Sequence, residues 1–194
     1  MEEYIISLEN LRKLAENIIK DGIDIFAPSL DNGRFVKIIR SEELNIFPDK
    51  RPSDISAKQS VFPKCDSVLF YKREKSTVEL KEIEPKVNQV LFGLKPCDAA
   101  SFRIMHKVFN WDYKDEFFNK RLENTLIIGL ACTFFDEYCF CTSVGLSPVS
   151  TVGSDMFLVR ISDDTFAALA VTDKGKQLAS KYSALFSKGD SSKS

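Results

Sequence analysis

The sequence has 194 residues, 44% of them apolar, with 27 Lys and Arg balanced by 28 Asp and Glu. That length fits one domain with a real hydrophobic core, and the composition excludes a disordered chain. The balanced charge offers no global surface for nucleic acid, and no apolar run is long enough to cross a bilayer. The acidic start Met1-Glu-Glu-Tyr lacks the basic-then-apolar order of a secretory signal, so the expected location is the cytoplasm.

Ile5, Leu8, Leu11, Leu14, Ala15, Ile18 and Ile19 recur at helical spacing and predict a helix over 4–20, stopped near Gly22. Two short apolar runs follow, Ile23–Ala27 and Phe35–Ile39, separated by the turn signal Asp31-Asn-Gly, which predicts a hairpin. Residues 48–66, with three prolines, read as a long and partly irregular connection. Short strands are expected at Val68–Tyr71 and Val78–Ile83.

The middle of the chain carries the clearest signal. Gln89-Val-Leu-Phe-Gly-Leu reads as a buried strand, broken by Pro96-Cys-Asp. Phe102, Met105 and Phe109 then repeat at helical spacing, and a second, polar helix is expected near Glu116–Glu123. Thr125-Leu-Ile-Ile-Gly-Leu-Ala is another buried strand, and the crossover between the two strands is long enough for a parallel pair. Residues 133–154, rich in Ser, Thr and Gly, read as a functional loop. Met156–Ile161 and Phe166–Val171 predict a hairpin around Ser162-Asp-Asp. Thr172 is a candidate cap for a last helix with Leu178, Tyr182 and Leu185 on one face. The expected fold is a single α/β domain over 1–187, with a central mixed sheet flanked by helices, followed by a disordered tail at 188–194.

Five cysteines in a cytoplasmic chain are not expected to form stable disulfides, which leaves metal ligation or burial. Cys97 and Cys132 each follow a buried strand, so adjacent parallel strands would bring both to one carboxyl edge, where open α/β sheets bind ligands. Cys139 and Cys141 form a tight pair in the loop after Cys132. Side chains at i and i+2 of an extended segment leave the same side of the backbone. Four thiolates suffice for a tetrahedral metal site or a cubane iron–sulfur cluster, with buried free thiols as the alternative. Zinc is the main rival to iron, although structural zinc usually takes two close ligand pairs and only one is present.

Cys97 lies at a predicted helix start, where backbone N–H groups and the helix dipole would favour a thiolate. Thr142, Ser143 and Gly145 could donate to cluster sulfurs, and Phe134, Phe135, Tyr138 and Phe140 could screen them from water, unless those aromatics are plain core. Lys95 could bind an anion, with a solvated lysine the default reading. Cys65 has no thiol neighbour in sequence, and His106 is the only histidine. No dinucleotide or phosphate-loop pattern occurs, so no nucleotide site is expected.

Three segments carry a family resemblance: Val90-Leu-Phe-Gly-Leu-Lys-Pro-Cys-Asp-Ala-Ala-Ser-Phe, Arg121-Leu-Glu-Asn-Thr-Leu-Ile-Ile-Gly-Leu-Ala-Cys and Cys139-Phe-Cys-Thr-Ser-Val-Gly-Leu-Ser-Pro. Ser60-Val-Phe-Pro-Lys-Cys-Asp-Ser-Val-Leu-Phe is a weaker match. Together they resemble the N-terminal domain of soluble NiFe sulfhydrogenase beta subunits and of the electron-transfer subunit of anaerobic sulfite reductase. The resemblance spans residues 50–175. It implies electron transfer through a [4Fe–4S] cluster held by Cys97, Cys132, Cys139 and Cys141. It also implies a multisubunit oxidoreductase whose partners are a ferredoxin-like module, a flavin and NAD(P)-binding subunit and a catalytic subunit. A zinc-bound or metal-free scaffold for assembling such a complex is the alternative.

The sequence departs from the family in two respects. Lys95 stands where the family usually has Arg, which keeps the charge and loses the planar donor fork. The Cys-x-x-Cys-x-x-Cys repeats of the family's ferredoxin-like domain are not present in these residues. The loop 133–150 is expected to lie at the surface, with an apolar docking patch around Phe134, Phe135 or Leu146.

Overall fold

The structure is a computed structural model in which residues 1–30, 33–46, 55–75 and 77–189 are described. Ten strands and four helices follow in chain order: β1 (Glu2–Ser7), α1 (Leu8–Lys20), β2 (Asp24–Pro28), β3 (Phe35–Ile38), β4 (Leu69–Glu74), β5 (Thr77–Glu82), β6 (Gln89–Leu94), α2 (Pro96–Val108), α3 (Glu116–Glu123), β7 (Thr125–Leu130), β8 (Met156–Arg160), β9 (Thr165–Ala170), α4 (Asp173–Lys181) and β10 (Ser187–Lys188). Eight strands form one mixed sheet in the order β10-β1-β9-β8-β7-β6-β2-β3. Its centre, β2-β6-β7-β8, is parallel, and antiparallel strands extend both sides. The fold is therefore α/β with a central mixed sheet, as the sequence predicts.

The sheet is sandwiched between helices, which is why its middle strands are apolar throughout. On one face Leu11, Leu14 and Ile18 of α1 and Leu178 of α4 bury against Val90, Phe92, Ile128 and Leu158. On the other, Ala99 and Phe102 of α2 and Phe118 of α3 bury against Leu91, Leu94 and Ile127. Strand β6 changes parity near its end. Phe92 pairs with Ile128, Leu94 pairs with the next residue, Gly129, and Gly93 is the extra residue, at φ +76°. This bulge turns Leu94 to the α2 face with Leu91, where uninterrupted alternation would place it with Val90 and Phe92.

The N-terminal helix is shorter than its periodicity suggests. Residues 2–7 are strand β1, and Ser7 caps α1 by accepting a hydrogen bond from the Asn10 N–H. Pairing along the whole length of β9 overrides the local helical spacing at Ile5. The strands β2 and β3 form the expected hairpin, while Asp31 and Asn32 of its turn lie outside the described residues. Phe47, residues 48–54 of the expected connection and 190–194 of the expected tail lie outside them too. Strands β4 and β5 form a separate two-stranded hairpin. Leu69, Tyr71, Val78 and Leu80 share one of its faces and stand exposed.

Thr172 precedes α4, but its hydroxyl does not cap the helix. It donates instead to Asp155 Oδ1 at 2.6 Å, while Asp155 Oδ2 accepts from the Ile127 N–H at 2.9 Å. Among the described residues no helix is long and apolar enough to cross a membrane.

Candidate metal centre

The carboxyl ends of β6 and β7 lie side by side in the sheet, and each delivers a cysteine. After β6, Lys95 is the N-cap of α2, Pro96 starts the helix and Cys97 occupies its second position. After β7 the chain keeps to the sheet for one more bond, from the Ala131 N–H to the Leu158 carbonyl. It then leaves with Cys132, whose N–H donates to the Pro148 carbonyl at 2.9 Å. That bond closes the base of a loop carrying Cys139 and Cys141.

The far side of the loop is anchored on α2. Gly153, at φ +85°, lies so close to the helix that a Cβ there would stand 2.1 Å from the Ala99 carbonyl oxygen. A 3-10 turn over Cys141–Val144 ends at Gly145 in the left-handed conformation. The Leu146 N–H donates to the Cys141 carbonyl at 2.9 Å.

All five cysteines are free thiols. Cys97 and Cys132 are near enough that charge on Cys132 disfavours a thiolate at Cys97. The Cys132 thiol donates to the Phe134 carbonyl at 3.0 Å. The Cys139 thiol donates to Asp136 Oδ1 at 3.4 Å, and its sulfur accepts from the Asp136 N–H at 3.3 Å. Thus the four thiols share one sheet edge and one loop, yet among the described residues no three potential ligands close around a common point.

The donor set suits a thiolate-bound metal group. Four free sulfurs lie on neighbouring segments, two of them beside backbone N–H donors.

The electrostatics differ from the sequence reading at Cys97. Burial pushes its thiol above the usual range, and the Asp98 carboxylate and then Cys132 add to the effect. The backbone N–H groups of Asp98 and Cys97 act in the opposite direction and are outweighed. Asp98, in the first turn of α2, pairs with Lys58 at 3.2 Å. Lys95 is half-buried, with its ammonium 5.6 Å from the centre of the Phe134 ring. Lys95, Phe134 and Cys132 border a cavity of about 240 Å³ at the carboxyl edge, with Gly93, Leu130 and Arg160.

The aromatic screen is not formed. Phe135 is 85% exposed, Phe134 is 37% exposed, and Tyr138 and Phe140 also stand in solvent. Helices cover the two faces of the sheet, whereas the cysteine loop rises from its edge, so its outer side meets water. Leu146 is half-buried. His106 is exposed on α2, and Cys65 lies apart, in a groove beside β4 and β5 with Asp66 and Arg121. The sequence reading missed the Asp136 partnership with Cys139, which depends on side-chain rotamers and not on residue spacing.

No protein-family model matches the chain, and no solved structure matches it. The chain is 29% identical over 149 residues to the sulfhydrogenase 2 subunit beta of Pyrococcus furiosus, an alignment covering 76% of this chain. It covers 42% of that protein, so the chain spans about two fifths of the length of the curated relative it matches. The similarity found is thus to a sulfhydrogenase beta subunit, in a chain whose two strand-end cysteines and Cys139–Cys141 loop share one sheet edge.

Proposed function

We propose that the chain is an electron-transfer subunit or domain of a multisubunit oxidoreductase of hydrogenase or sulfite-reductase type. Cys97, Cys132, Cys139 and Cys141 would hold a [4Fe–4S] cluster in a cytoplasmic α/β unit over 1–187. The observation that carries this reading is the arrival of Cys97 and Cys132 at the carboxyl ends of adjacent parallel strands, with Cys139 and Cys141 in the loop between Cys132 and Pro148. The relationship to a sulfhydrogenase beta subunit supports it. When bound, the cluster supplies a one-electron store.

The protein's own part is to place and polarise the sulfurs. β6 and β7 fix Cys97 and Cys132 on rigid elements, whereas Cys139 and Cys141 ride on the loop. The Asp136 N–H already points at the Cys139 sulfur, and the N–H groups of Cys97 and Asp98 favour charge on Cys97. Ligation by Cys139 requires its thiol to give up its proton and its bond to Asp136 Oδ1. Partners of the relay would be a ferredoxin-like module, a flavin and NAD(P)-binding subunit and a catalytic redox subunit.

Anaerobic reconstitution with iron and sulfide tests the assignment. The wild-type chain should gain broad visible absorption with about four irons per chain, and Cys139→Ser should gain much less. Equal iron and sulfide in both would remove Cys139 from the ligand set. The second reading is a metal-free or zinc-bound assembly scaffold, and the bonds donated by the Cys132 and Cys139 thiols favour its metal-free form. Zinc alone, or no metal after reconstitution, would select it.

A further inference from the structure

Helix α2 begins at the candidate metal centre, and its outer face is apolar. At about 100° per residue, Cys97, Ser101, Ile104 and Val108 fall within an arc of about 60°. Ile104 is 65% exposed and Val108 63% exposed. Trp111, in the turn that follows, is 83% exposed, and Tyr113 is exposed beside it. The opposite side of the helix supplies Ala99 and Phe102 to the core, so this stripe is surplus to folding.

Beyond Asp98, the charged residues of α2 itself are all basic. Arg103 and Lys107 line one flank, and Lys114 follows in the connection to α3. Of the acids nearby, Asp98 is paired with Lys58 and the Asp115 carboxylate accepts from the Phe118 N–H as the cap of α3, which leaves Asp112 and, at the start of α3, Glu116 as counter-charges. An isologous contact between two copies would set Arg103 and Lys107 against like charges, which disfavours a second copy as the occupant. A face that is acidic around an apolar centre complements the stripe.

Position along the helix adds a reason for the pairing. Ile104 lies about 10 Å along the axis from Cys97 at 1.5 Å rise per residue. An ordinary protein footprint of about 800 Å², taken as a disc, has a radius of about 16 Å. A partner centred on Ile104 therefore covers Cys97.

We propose that the outer face of α2, from Cys97 to Trp111, is the docking surface for an acidic one-electron carrier protein. The electron-transfer purpose rests on the reading of Cys97 as a cluster ligand; the docking itself does not.

The experiment titrates the chain, before and after reconstitution, with a small acidic [4Fe–4S] ferredoxin and with a basic c-type cytochrome as comparator. The ferredoxin should bind, more weakly as salt rises, and the cytochrome should not. Ile104→Asp and the pair Arg103→Glu with Lys107→Glu should each weaken ferredoxin binding by at least about tenfold. Lys13→Glu, exposed on α1 across the sheet, should leave it unchanged. All these sites are exposed, and thermal melts would verify folding. Binding that is absent, or equal in wild type and both α2 variants, overturns the docking proposal. Self-association lost in Ile104→Asp would also overturn it, in favour of a second copy. A chain that binds ferredoxin through α2 but takes up no iron and sulfide would refute the cluster reading alone.

Discussion

Replacing Gly153 by alanine probes how the cysteine loop is fastened to α2. The new Cβ would stand 2.1 Å from the Ala99 oxygen, 2.5 Å from its carbonyl carbon and 2.9 Å from the Ala100 nitrogen. All three are helix backbone, so no rotamer change relieves the contact. The residue also sits at φ +85°, where an L side chain costs about 1–2 kcal/mol. Overpacking of this kind adds about 1–3 kcal/mol, for a total of about 2–5 kcal/mol. For a chain of this size 1 kcal/mol corresponds to about 2–4 °C in Tm, so a fall of roughly 10 °C is expected.

Gly145→Ala is the matched control. Its φ is +74°, and a Cβ there meets nothing within 4 Å, so only the backbone cost of about 1–2 kcal/mol applies. Calorimetry on the metal-free chains should place Gly153→Ala about 2–12 °C below Gly145→Ala. Hydrogen exchange should show faster opening at Gly153–Asp155 in the first variant. If the two variants melt together, the loop is not wedged against α2 as described.

Asp66 and Arg121 form an ion pair in which the Arg121 side chain is only 12% exposed. The hydrogen bond from Arg121 holds the Asp66 carboxyl below its ordinary range, assisted by the guanidinium charge and opposed by burial. A depressed carboxyl contributes stability that is complete above its unfolded value, about pH 4, and lost as pH falls through the folded value. The stability gap between wild type and Arg121→Leu should therefore narrow below about pH 4, as followed by urea unfolding at stepped pH, and a gap independent of pH would refute the pair's role. Phe118 is 1% exposed and stacks on Phe109 at 4.4 Å between ring centres, so Phe118→Ala should lose about 3–5 kcal/mol by urea unfolding. A loss under about 1 kcal/mol would mean that the α3 face of the core refills the space.

The strands that position the candidate site are legible in the sequence because they are buried on both faces. Val90–Leu94 and Leu126–Leu130 are near-continuous apolar runs for that reason, and the chain between them leaves room for a crossover. The polar helix Glu116–Glu123 shows equally well, with Asp115 capping it through the Phe118 N–H. What escapes the sequence depends on partners far along the chain. Tyr4–Ser7 is strand because β9 pairs with it, and Thr172 spends its hydroxyl on Asp155. Gly93 reads as an ordinary strand glycine, since a bulge is defined by its neighbour's register. At the cysteines the sheet edge is legible from the strand ends. The turning of Cys139 toward Asp136 is a choice of rotamer that spacing does not encode.

The place of β1 has a consequence for the order of assembly. Its partners are β9, with Glu2 opposite Ala170, and β10, with Tyr4 opposite Lys188. During synthesis at about 5–20 residues per second, β1 waits roughly 10–30 s for either partner to emerge. Meanwhile β2, β6, β7 and β8 need nothing beyond Arg160 to pair. The nascent chain thus carries an unpaired strand with Ile6 uncovered, an invitation to mispairing, beside a nearly complete parallel core. Contacts of such long sequence separation also make docking of the N-terminus the natural slow step of refolding. Cys97 and Cys132 take their places at the sheet edge while β1 still has nowhere to go.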